Sequence, residues 1–211
     1  SLFNNCFKIN RGPDAPDLEF IEMDNQLICL LSNDTLQALS NNAKEEYAER
    51  GLEIPELEED SMYVFEGYKV YQLAGPDVSI AELDNFEKSR LVFQSDIKNG
   101  IDEIYNWTSV ADPGGSGLKV WSPTRMVKGN NAGIQHSFTL TEDQFAEEDR
   151  ILNNHKKYYY VAVAYAYNNF EQFSFDPPIS GQRAPYLEGQ RNVRKYVAIP
   201  RTIEYSDLQA E

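Results

Sequence analysis

The chain has 211 residues, 41% of them hydrophobic and 12% aromatic, which supplies a packed core and argues against wholesale disorder. Its net charge of -15, from 34 acids against 19 bases, disfavours nucleic acid and anionic membrane surfaces as partners. No run approaches the ~20 apolar residues of a transmembrane helix.

The first ten residues, SLFNNCFKIN, read as the interior of a longer protein, and Leu2 to Ile9 alternates loosely like a strand. Arg11 to Asp17 (RGPDAPD) is a turn segment, since two prolines three apart cannot sit inside a helix. Asp14 and Asp17 in this turn are the candidate ligands for a calcium ion, a hard cation that takes six to eight oxygens. Against that stands an ordinary turn whose Asp side chains cap backbone. Gln26 to Ser32 reads as a buried strand. Cys29 lies in it, and Cys6 is the chain's second cysteine. The two form a disulfide or remain two buried thiols, and their spacing fits neither a zinc site nor a redox motif.

Residues 33–60 change character. Eight acids fall between Glu45 and Asp60, against two bases from Lys44 onward. This is a long insertion with one or two helical turns around Ala43 to Arg50, read as a solvated acidic loop or an acidic docking surface. Met62 to Gly75 returns to strand character. Residues 76–90 are expected to form a helical excursion with Ser79 as N-cap and Ile80, Leu83 and Phe86 at helical spacing. Leu91 to Ile97 is the next strand. Ala111 to Gly117 (ADPGGSG) is a glycine-bearing turn, without the lysine and following helix of a phosphate loop. Pro123 marks the extended run after it as an edge strand. Ile134 to Leu140 alternates, residues 176–193 are irregular, and Arg194 to Arg201 is a last short strand.

Between them lies Lys156 to Phe170, KKYYYVAVAYAYNNF. From Tyr158 to Tyr167 it carries no charge on either face, so both faces must be covered. Seven to nine strands without βαβ alternation imply an all-β, antiparallel sandwich over residues 1–211, with long, partly helical loop insertions.

Gly67 to Gln72 (GYKVYQ) resembles strand C of fibronectin type III domains, and Lys157 to Asn168 (KYYYVAVAYAYN) resembles their strand F. The resemblance implies that RKYVAI is strand G and that Tyr159 is the tyrosine corner, bonding upstream backbone near Ile151 to Asn154. It also implies that Val161, Val163 and Tyr165 point into the core. Tyr158, Tyr160, Ala162, Ala164 and Ala166 then form the opposite face, covered by the chain's own excursions at 33–60 or 76–90, or by another copy or a neighbouring domain. A longer set of segments, NRGPDAPDLEFIEMDNQLICLLSN, YVFEGYKVYQL and KGNNAGIQHSFTLTEDQF with the strand-F run, resembles a fibronectin-like region of large secreted Bacteroidota proteins. That resemblance implies an extracellular or cell-surface location. It also makes Thr35 in DTL and Ser61 in DSM candidate O-glycosylation sites. The sequons at Asn33 and Asn106 are weaker candidates.

No catalytic constellation emerges. His136 and His155 lie in no recognisable motif, and the abundant acids mark no glycosidase pair. The expected function is a non-catalytic structural or interaction module, one building block of a surface protein or of an extracellular assembly. Its partners are other domains or copies of itself. Five bases against one acid from Gln182 to Arg201, opposite in charge to the acidic stretch at 45–60, suit a head-to-tail contact between copies, an intramolecular pairing or two solvated surfaces. The alternative is a carbohydrate-binding module in which Tyr105, Trp107 and Trp121 stack on sugar rings.

Overall fold

A computed structural model describes residues 9–33, 45–51, 62–115 and 117–202. The described chain is almost wholly antiparallel β. Its strands are β1 (Asp17–Met23), β2 (Gln26–Ser32), β3 (Ala48–Arg50), β4 (Met62–Leu73), β5 (Ser89–Asp96), β6 (Glu103–Ala111), β7 (Lys119–Lys128), β8 (Ser137–Leu140), β9 (Tyr158–Tyr167), β10 (Tyr186–Glu188) and β11 (Lys195–Ala198).

Three sheets result. β1 and β2 form a hairpin whose two-residue turn ends on Asn25 at φ 53, a conformation Asn tolerates better than most residues, and β8 joins the far edge of β2. The second sheet is built on the pair β4–β9. β11 and β10 follow one another along the outer edge of β9, and β5 and β3 do the same along β4. β6 and β7 form a separate two-stranded ribbon.

The expectation that both faces of β9 are covered holds, because nine of its ten residues, Tyr158 and Tyr160 to Tyr167, are buried. The assignment of the faces is the reverse of the sequence reading. Tyr158, Tyr160, Ala162, Ala164 and Ala166 point into the main core, where they meet Leu18, Leu27, Cys29 and Leu31 of the β1–β2–β8 sheet. The ring of Phe20 lies 5.3 Å from that of Tyr160, and Phe93 stacks on Phe138 at 3.7 Å. This set of residues is therefore not an open interaction face. Alanines in mid-strand leave room for larger side chains from the facing sheet.

Val161 and Val163 lie on the other side, with Tyr71 and Leu73. Val78 and Leu83 of the connection between β4 and β5 cover them. Further along the same face, Ile104 and Val127 of the ribbon cover Tyr165 and Tyr167. The excursion at 76–90 thus covers the valine face rather than the alanine face.

No α-helix occurs among the described residues. Ser79 does cap a turn, donating its backbone N–H to Glu82 Oε2 while its hydroxyl accepts from Ala81, but the turn is a single 3-10 element, Ile80–Glu82. So short a segment cannot offset the cost of nucleating an α-helix. The helical turns expected around Ala43 to Arg50 are also not seen where the chain is described, since Ala48–Arg50 is strand β3 on the edge of β4.

Candidate functional site

The β6–β7 ribbon brings together the three aromatic residues singled out in the sequence. Directly opposed residues and i, i+2 neighbours share a face of a β-ladder. Trp107 opposes Pro123, Ser109 opposes Trp121 and Tyr105 opposes Arg125, so Tyr105, Trp107 and Trp121 occupy one face. The chain from Asn169 to Pro185 lies against it. Trp107 N donates to Arg183 O at 2.8 Å, and the Asn106 amide bridges the Tyr186 backbone, accepting at 2.9 Å and donating at 3.3 Å. This segment adds Phe173, stacked on Tyr105 at 4.9 Å and 6.0 Å from Trp107, and Phe175, edge-on to Tyr105 at 5.1 Å.

Beside these rings is an open cleft of about 200 Å³, rimmed by Asp102, Glu103 and Gln172. Glu103 Oε2 accepts from the Tyr105 hydroxyl at 2.7 Å, and Arg125 donates to Oε1 at 3.1 Å. These contacts hold the Glu103 carboxyl below the usual carboxylate range, the tyrosine hydrogen bond contributing most. At the distal end the Arg183 guanidinium sits 4.0 Å over the Trp121 ring, a cation–π contact, and Trp121 remains 53% exposed. Val110 and Val120 are exposed on the opposite face, and Leu118 next to the turn is 69% exposed. The ribbon end therefore shows apolar groups on both faces.

The root of the ribbon is held by buried polar groups. Asp96 accepts from the backbone N–H groups of Asn130 and Asn131 at 3.1 and 2.9 Å. Asn131 Oδ1 accepts from Asn99 and Gly100, and Asn99 Nδ2 donates to both oxygens of Glu66. Burial pushes the Glu66 carboxyl up to about 8, with the Asp96 charge adding to the shift and the Asn99 bond opposing it. Gly67 next door must be glycine, because a Cβ there would lie 2.3 Å from Ser95 O and 2.7 Å from the Tyr165 hydroxyl. A second tie is Lys69, only 5% exposed. Its Nζ donates to Met126 O and to the Tyr186 hydroxyl, both at 2.9 Å, and Tyr186 in turn donates to Glu188 at 2.6 Å. Desolvation lowers Lys69 to about 8, although the Glu188 charge opposes it. Periodicity and motif gave no sign of Lys69, Phe173 or Phe175, and Arg183 was counted only within the basic stretch from Gln182 to Arg201. A lysine inside an otherwise aromatic strand was the signal for the first, and the others sit in an irregular segment that carries no periodicity.

Tyr159 is partly buried against the valine cluster, and the upstream hydrogen bond expected of it belongs instead to Tyr158, whose hydroxyl accepts from Asn153 N at 2.8 Å. Cys29 is a fully buried thiol, pushed up to about 12 by burial, while Cys6, Thr35 and Ser61 lie outside the described residues. Asp14 is buried with Arg191 Nε 3.3 Å away and the Asn192 amide at 3.2 Å; Asp17 faces Arg194 at 3.6 Å and accepts from the Tyr196 hydroxyl at 3.2 Å. A guanidinium thus stands beside each carboxylate offered to calcium. No group of three or more His, Cys, Asp or Glu side chains suited to a metal occurs among the described residues. Arg201 similarly faces Glu22. Much of the basic stretch from Gln182 to Arg201 is therefore paired within the chain, with acids at 14–22. His136 lies 3.4 Å from Glu45, and His155 occupies a turn at φ 64. The amides of both sequon asparagines are engaged, Asn106 as above and Asn33 with the Tyr68 hydroxyl.

No protein-family model, curated protein or solved structure matches the chain. No helix among the described residues is long and apolar enough to cross a membrane.

Proposed function

We propose that the chain is a non-catalytic interaction module of an extracellular or cell-surface protein, built on a fibronectin-like β-sandwich. The fold reading is supported by strand neighbours. The stretches resembling strands C, F and G are adjacent as β4, β9 and β11, and the order β1–β2–β8 of the other sheet is compatible with strands A, B and E. The observation that carries the function is the β6–β7 ribbon, which presents a half-exposed Trp121 under Arg183 on one face and exposed Val110 and Val120 on the other. Tryptophan and arginine at a desolvatable site are the commonest anchors of protein interfaces. The partner is a neighbouring domain of the parent protein or another copy of the chain. Light scattering on wild type and on Trp121→Ala with Val120→Ser tests this. Association lost in the variant supports it. A wild-type chain that stays monomeric and binds no neighbouring domain of its parent sinks it.

A second reading, a carbohydrate-binding module, is favoured by the shared face of Tyr105, Trp107 and Trp121 beside the cleft rimmed by Asp102 and Glu103. Retention on a polysaccharide matrix, abolished by Trp121→Ala, is its expected signature.

A further inference from the structure

β9 is not alone in having two apolar parities. In β2, QLICLLS, the side chains of Leu27, Cys29 and Leu31 enter the main core, which leaves Ile28 and Leu30 on the opposite face. A sheet with one face in water is ordinarily polar on that side. The neighbouring strands enlarge the apolar area. Ile28 lies between Ile21 of β1 and Thr139 of β8, Leu30 lies between Glu19 and Ser137, and Met23 pairs with Gln26. Ile21, Met23, Ile28 and Leu30 thus form one patch on the outer face of the β1–β2–β8 sheet. Ile21 is 50% exposed and the other three are half-buried. None of the four belongs to any of the three hydrophobic clusters of the described residues. A contiguous apolar patch of this kind marks a contact surface.

The path of the chain indicates what covers it. β2 occupies one edge of β1. From β11 onward the chain runs in the same direction as β1, along its other edge. Arg194 faces Asp17, Ile199 N donates to Glu22 Oε1 at 2.8 Å, and Arg201 N donates to Met23 O at 3.1 Å. Residues 203–211, IEYSDLQAE, therefore start at the corner of the patch marked by Met23. Nine extended residues reach about 30 Å. The seven residues of β1 span only about 24 Å. A tight reversal consumes about two residues, which leaves enough chain to return from Met23 towards Glu19. The segment carries apolar Ile203, Tyr205 and Leu208, with Glu204, Ser206 and Asp207 between them for the solvent side. Tethered this close, it is presented to the patch at an effective concentration of about millimolar. It also bears none of the translational and rotational cost that a second copy would.

We propose that residues 203–211 fold back over the outer face of the β1–β2–β8 sheet, with Ile203, Tyr205 and Leu208 seated on Ile21, Met23, Ile28 and Leu30. Occupied by this segment, the face is closed to a second copy or a neighbouring domain. The proposal rests on neither reading of the ribbon.

The test is methyl-resolved NMR on the full chain, with an equimolar mixture of isotope-labelled and unlabelled protein to separate contacts within a chain from contacts between chains. Nuclear Overhauser contacts within one chain are expected from the Tyr205 ring or the Leu208 methyls to the methyls of Ile28 or Leu30. Tyr205→Ser combined with Leu208→Ser should shift the methyl signals of Ile21, Ile28 and Leu30. It should leave those of Leu27 and Leu31, on the inner face, in place, which also reports that the core is intact. Absence of the contacts overturns the proposal, and so do outer-face methyls that do not respond to the double substitution. Contacts found only between chains overturn it in favour of a second copy. Contacts from Ile28 and Leu30 to a different segment in place of 203–211 overturn it in favour of that segment.

Discussion

The hydroxyl of Tyr158 accepts a hydrogen bond from the backbone N–H of Asn153, five residues upstream, at 2.8 Å. This bond fixes where β9 begins relative to the segment before it. It performs the task that the fibronectin resemblance assigned to Tyr159, one residue further on. A shift of one residue reverses every side chain of a strand, so the same shift places the alanines in the main core and the valines against the β4–β5 connection.

Tyr158→Phe is therefore expected to cost about 1–2 kcal/mol, the penalty for leaving the Asn153 N–H without its partner. Tyr159→Phe is expected to be near neutral. Urea denaturation of the two variants distinguishes the assignments, and the reverse ranking would restore Tyr159 as the corner.

Enlarging the alanine face tests the same reversal by packing. Ala164 is completely buried, so Ala164→Leu should destabilise by about 1–3 kcal/mol or more through overpacking, with no change in oligomeric state. Loss of self-association in a variant of undiminished stability would instead mean that this face meets another copy.

The buried Glu66 sets a pH dependence. Its folded carboxyl is raised from the ordinary 4.5 to about 8 by burial, so the native state holds this proton over a range where the unfolded chain has released it. Its stabilising contribution is complete below pH 4.5 and falls as pH rises towards 8. Lys69 adds little slope there, being protonated in both states until pH nears about 8. Glu188, also raised by burial, slopes the same way as Glu66. Glu66→Gln should thus flatten, without abolishing, the fall in melting temperature between about pH 5 and 8. An unchanged profile refutes this.

Arg191→Ala should destabilise the fold, because the Asp14 carboxylate stays buried after its guanidinium is removed. The loss should be less than the about 3–5 kcal/mol typical of fully buried pairs, since Arg191 is partly exposed and Asn192 also contacts Asp14. With cationic charge already beside Asp14 and Asp17, addition of a chelator is expected to leave the melting temperature unchanged. A drop on chelation, reversed by calcium, would show that a metal binds.

Much of the architecture was legible in the sequence. Turn chemistry at Arg11 to Asp17 and alternation in β2, β4, β8 and β9 marked the strands, and the absence of charge from Tyr158 to Tyr167 required a layer on each side. Ser79 was recognisable as a cap, although the element it caps is a single turn. The ribbon face was half legible. Tyr105, Trp107 and Trp121 stood out as aromatic residues in polar surroundings, but their common face depends on the β6–β7 register, bulge included. Phe173, Phe175 and Arg183 reach it from an irregular segment.

What the sequence determined by itself was composition-level and periodic: an all-β chain, strongly acidic, with one strand buried on both sides. What only the tertiary structure decided was which side met which layer. In β9 both parities are apolar, so hydrophobic pattern cannot break the tie, and a one-residue difference in register carries no local signature. The choice was made by long-range contacts, with Leu18, Leu27 and Cys29 on one face and Val78, Leu83 and Ile104 on the other. The pairing of the basic C-terminal segment with Asp14, Asp17 and Glu22 was likewise invisible in sequence, because charge partners are set by which strands the fold brings side by side.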